Sequence, residues 1–153
     1  MIVQGQTTVF KKNLLSGLEN FAVGTPYTYK IALYDALANL DSTTLAYTST
    51  NEVTGTGYTA GGQTLTPVAP NSDNSAYTAW VSFQDVTWNP ASFTCRGALI
   101  YNATTGAAVC VLNFGSDKTA TNTFTIQFPA ATYSSAIITV GTTTSSINYS
   151  SSD

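Results

Sequence analysis

Catalysis and metal binding start from side chains that can give or take a proton or an electron pair, and this sequence carries few of them. It has no histidine, which removes the commonest general base and the commonest metal ligand. A Ser-His-Asp or Cys-His arrangement is therefore excluded. The two cysteines, Cys95 and Cys110, flank a segment that reads as a hairpin turning near Thr104 and Gly106. That turn sets Cys95 opposite about Phe114 and Cys110 opposite about Leu99, which leaves the sulfurs too far apart for a disulfide. Arg96 adjoins Cys95, but neighbours on a strand point to opposite faces, so it gives little reason to expect an activated thiol. Both cysteines read as small buried hydrophobes.

The eight acids are Glu19, Asp35, Asp41, Glu52, Asp73, Asp85, Asp117 and Asp153. Glycoside hydrolysis needs two of them facing across a cleft, roughly 5 to 9 Å apart, and only Asp85, between Phe83 and Trp88, sits among aromatics. Asp85 and Asp117 also adjoin turn residues, where a carboxylate commonly closes an Asx turn or a cap. The run Gly55-Thr56-Gly57-Tyr58-Thr59-Ala60-Gly61-Gly62 lacks the Gly-Lys-Ser/Thr ending, the preceding strand and the following helix of a phosphate loop. It reads as a tight loop with glycines at positive φ. Asn71-Ser72-Asp73-Asn74 supplies one carboxylate and no closing Glu of a calcium loop. Trp80 and Trp88, with Tyr77, Phe83 and Phe93, suit a sugar-stacking platform or, more often, a sandwich core and a protein interface. No catalytic, cofactor-binding or metal-ligating residue is assigned, and the chain reads as a non-enzyme without a cofactor.

The elements that must position these groups follow from composition and period. A length of 153 residues suits one domain. The hydrophobic fraction of 43% is enough for a core, whereas the charged fraction of 8% is far below the usual value of about 25%. Thr, Ser, Asn, Gly and Tyr take the place of charge, and such a surface is easier to desolvate against a neighbour. The net charge of −3, with scattered lysines, argues against a nucleic-acid partner. No run is apolar enough to suggest a membrane span, and Met1 to Thr8 does not read as a secretory signal, so synthesis in a reducing cytoplasm is expected.

Phe10, Leu14, Leu15, Leu18 and Phe21 recur at helical spacing, with Thr8 as N-cap and Gly24 and Pro26 as the stop. From Tyr27 the pattern turns to β. Tyr27, Tyr29, Ile31 and Leu33 alternate with Thr28, Lys30, Ala32 and Tyr34, as on a strand with one buried face. Further strands are expected over 64–69, 77–86, 92–102, 107–114, 123–128 and 136–140, separated by turn residues. Ala98-Leu99-Ile100-Tyr101 and Ala136-Ile137-Ile138 read as strands buried on both faces, or on one face and a subunit contact. The predicted architecture is all-β, a single antiparallel β-sandwich or jelly-roll-like domain with a short N-terminal helix. Its organisation is a helical arm (1–26), the β-sandwich (27–140) and a Ser/Thr-rich tail (141–153).

With the strands laid out, Glu52-Val53-Thr54-Gly55-Thr56-Gly57-Tyr58-Thr59-Ala60-Gly61-Gly62, Asp85-Val86-Thr87-Trp88, Arg96-Gly97-Ala98-Leu99-Ile100-Tyr101-Asn102 and Asn113-Phe114-Gly115-Ser116-Asp117-Lys118 resemble a family of small tailed-phage proteins, some regarded as virion components. The resemblance spans about residues 27–140 and brings no catalytic residues. It implies a virion protein, above all a capsid decoration (cement) protein that binds the major capsid protein. The alternatives are another virion component (neck, tail or fibre base) and a carbohydrate-binding host-attachment module. Closed symmetry favours a homotrimer. The apolar helical stripe of Phe10, Leu14, Leu15 and Leu18, outside the β domain, is the expected contact with other chains.

Overall fold

The computed structural model describes residues 1–141; the expected tail, apart from Gly141, lies outside the described residues. The fold is all-β with one short N-terminal helix, as the strand spacing implies. Five antiparallel strands form the main sheet, in the order β1 (Gly5–Gln6), β8 (Ala108–Ala120), β7 (Phe93–Asn102), β2 (Tyr29–Tyr34) and β3 (Gln63–Leu65). A second sheet places β5 (Thr78–Phe83) between β10 (Ile138–Val140) and β4 (Pro67–Asp73). A two-stranded ladder pairs β6 (Val86–Trp88) with β9 (Phe124–Ile126).

The centre of the main sheet is buried on both faces, which the sequence led us to expect for β7 but not for β2. On one face Tyr29, Ile31, Leu33 and Ile100 meet Val81, Phe83 and Ile138 of the second sheet in the larger core. On the other, Ala32, Tyr34, Leu99, Tyr101 and Val111 form a smaller core with Ile2, Ala38 and Leu40. The half-polar alternation expected of β2 is therefore corrected. Ala32 and Tyr34 are covered by the N-terminal residues and the connection after Tyr34, neither of which has strand period to announce it. Of the second apolar run, only Ile138 is fully buried; Ala136 and Ile137 are half-buried.

The hairpin of β7 and β8 turns where Asn102 Oδ1 accepts from the Thr104 and Thr105 N–H groups. Register shifts between Cys95 and Gly97 and between Ile100 and Tyr101 move the cysteines off their expected partners. Cys95 faces Lys118 and Cys110 faces Ile100. Both thiols are free and buried, and burial pushes each up to about 12.

The helical arm is the larger correction. α1 spans only Thr8–Leu15, and its N-cap is Thr7, whose side chain accepts from the Phe10 N–H at 3.2 Å. Its end is set by Gly17 at φ +70°, where Leu18 N–H bonds Asn13 O at 2.9 Å and Gly17 N–H bonds Leu14 O. This is a Schellman closure, which needs a residue free to adopt the left-handed region. The arm is also tied to the sheet. β1 pairs with β8, Thr7 Oγ1 donates to Ala108 O at 2.8 Å, and Phe10 is fully buried in the larger core. Residues 1–26 therefore do not sit outside the β domain.

Candidate interaction surface

The four residues expected to meet other chains separate in the structure. Phe10 is 0% exposed and belongs to the core, its ring edge-on to Phe21 with centroids 6.0 Å apart. It is withdrawn from the surface because the helix packs its first turn against the sheet. Leu14 is half-buried against that core. Leu15 is 91% exposed and Leu18 48%, so these two present an uncovered apolar pair. Leu18 does so after the helix has ended, from the chain reversal at Gly17.

Beside them a cleft of about 280 Å³ runs between α1 and the second sheet. Phe10, Phe21, Val81 and Ile138 are its buried apolar residues, and Leu14, Trp80 and Val140 reach its more exposed edge. One acid lines it. Glu19 is 7% exposed, and its Oε2 accepts from Tyr29 Oη at 2.8 Å and from Asn102 Nδ2 at 3.0 Å. Oε1 accepts only from Asn13 Nδ2, at 3.5 Å, among the described residues. Burial and the Glu19 carboxylate together push the Tyr29 phenol well above its usual range. Glu19 has no local signal. Its partners lie 10 and 83 residues away, and the apolar spacing around it reads as more helix.

The other acids bond separate partners. Asp85 Oδ1 accepts from Phe128 N–H at 2.9 Å, a tertiary bond across 43 residues in place of the local turn or cap expected of it. Asp117 pairs with Arg96 at 2.7 Å on the surface. Asp41 accepts from the Thr43 hydroxyl and N–H, which hold its carboxyl below the usual range. Glu52 was missed as a hub: it gathers Tyr47, Tyr58 and the Gly61 N–H. Its one sequence cue is an acid set just before a run rich in exposed backbone donors. Among the described residues no group of three or more Cys, Asp or Glu converges as metal ligands.

The aromatic set divides as well. Trp88, Phe83 and Phe93 are buried, with Trp88 packed on Tyr58, Phe93 and Phe124. Trp80 stays half-exposed with Tyr133 edge-on to it at 6.5 Å, and Tyr77 is exposed. Comparison with protein-family models, with curated proteins and with solved structures finds no match to this chain.

Proposed function

We propose that this chain is a structural protein of a tailed-phage virion, a capsid decoration protein that clamps neighbouring capsid subunits and stabilises the shell. The observation that carries the reading is the exposed pair Leu15 and Leu18 beside an open apolar cleft. Contiguous exposed apolar surface marks contact sites, and here an open apolar cleft lies next in the chain to two exposed leucines. The charge-poor composition supports the same role, because Thr-, Ser- and Tyr-rich surfaces desolvate against a neighbour at lower cost than Lys- and Glu-rich ones. Binding to assembled shell but not to unfolded shell protein stabilises the shell by mass action. A homotrimer on a threefold or quasi-threefold axis fits closed symmetry.

The experiment is quantitative mass spectrometry of purified virions of the phage that makes the chain. A decoration protein appears in a fixed, high ratio to the major capsid protein. A few copies per particle places it at the neck, tail or fibre base, and absence removes the virion role. A carbohydrate-binding module is the second reading, favoured by the surface pair Trp80 and Tyr133, since exposed aromatics stack on sugar rings. Saturable glycan binding that Trp80→Ala abolishes would establish it.

A further inference from the structure

We propose that the cleft beside α1 is a receptor for one basic side chain of a partner protein: an ammonium or guanidinium that reaches Glu19 on an apolar arm. The inference rests on the reading above only for the partner being a protein.

Three features of the cleft favour this occupant. Its surface is apolar and aromatic except for Glu19 and its neighbour Asn20, so an aliphatic arm is desolvated along Phe21, Val81 and Ile138. The group waiting there is a carboxylate, 7% exposed, with no salt bridge among the described residues. The ion pair found among the described residues is Arg96 with Asp117, elsewhere on the surface. The two oxygens are also unequal. Oε2 is held by Tyr29 and Asn102 in short bonds, which fix the carboxylate in place, while Oε1 has a single long bond to Asn13. A carboxylate accepts about four hydrogen bonds, so Oε1 keeps capacity for a charged donor, and charge-assisted bonds are roughly twice as strong as neutral ones. A neutral apolar occupant would leave this acceptor buried without a strong donor, a recognised cost. An anionic occupant would be repelled. The exposed Leu15 and Leu18 lie next in the chain to the cleft-lining Leu14 and Glu19, within the reach of apolar residues flanking a partner's basic one.

The test uses the full chain and a probe pair of matched shape, n-butylamine and n-butanol, titrated while backbone amide resonances are followed by NMR. Glu19→Gln is the variant, because its amide oxygen can still accept from Tyr29 and Asn102 while its amide nitrogen meets an incoming cation as a donor. The expected result is saturable shifts at Phe21, Val81 and Ile138 with the amine, at least about tenfold weaker with the alcohol, and weakened by a similar factor in Glu19→Gln. Equal binding of amine and alcohol, no saturable shift in this region, or unchanged amine binding in a folded Glu19→Gln each overturns the proposal. If Glu19→Gln unfolds, the wild-type amine-to-alcohol ratio decides alone. The two readings fail separately. Amine-selective binding by a chain absent from virions supports the receptor and removes the decoration role. A chain abundant in virions whose cleft ignores the amine overturns the receptor and leaves that role standing.

Discussion

Tyr58 and the Gly61 N–H donate to one oxygen of Glu52, and Tyr47 donates to the other, at 2.7, 2.7 and 2.6 Å. Removing this carboxylate leaves buried or half-buried donors without an acceptor, so Glu52→Ala should lower unfolding stability by about 2 to 4 kcal/mol in urea. The tyrosines around it give a pH signature. Burial, then the Glu52 hydrogen bond, pushes Tyr47 up to about 12; Tyr34 and Tyr58 are likewise raised, burial being the larger cause. Their folded values lie above the unfolded value of about 10, so the unfolded chain gives up protons first as pH rises. Their stabilising contribution is full below about pH 10 and is lost as pH climbs through the folded values. Melting temperature should fall steeply from pH 10 to 12. Tyrosinate absorbance that appears near pH 10 for every tyrosine, with the fold intact, would refute this. By the same reasoning Cys95 and Cys110 should resist a thiol reagent at pH 8 and react on unfolding.

Among the elements, α1 and the glycine-rich loop separate what sequence could tell from what it could not. The strands were legible because apolar period and turn residues agree. Leu99, Tyr101, Val109, Val111 and Trp88, on the expected strands or beside their turns, are buried, and Phe124, Ile126 and Phe128 share the inward face of their segment. The positive-φ loop was legible from its glycines. The helix length was not, because Leu18 and Phe21 continue the apolar spacing past the stop at Gly17. Nor was the attachment of the N-terminus: β1 is two residues long, too short for any period, and Thr7 reaches β8 across some hundred residues. Glu19 was hidden for the same reason, its partners being tertiary. Two measurements probe this scale. Phe10→Ala should cost about 3 to 5 kcal/mol as a core truncation, whereas Leu15→Ala should stay within about 0.5 kcal/mol. Gly62 sits at φ +70°, and an added Cβ would lie 1.8 Å from Ile31 O, so Gly62→Ala should destabilise well beyond the roughly 1 kcal/mol of the backbone preference alone.

Over the whole molecule, the centre of the main sheet is covered on both faces by its own chain, the N-terminal residues included. Deleting residues 1–23 would remove β1, Phe10, Phe21 and Glu19 from the core, and the remainder should fail to fold by circular dichroism. The contact role must therefore be probed by substitution. The proposed function has this fold adhere to a capsid through the surface beside α1. Its most direct test is a co-sedimentation titration of the chain onto capsids that lack it, comparing wild type with the double substitution Leu15→Asp and Leu18→Asp. Saturation at a fixed ratio to the major capsid protein is expected for the wild type. At least about tenfold weaker binding is expected for the double variant, with its melting temperature unchanged. Unsaturable or absent binding of the wild type, or equal binding by a folded double variant, would contradict it.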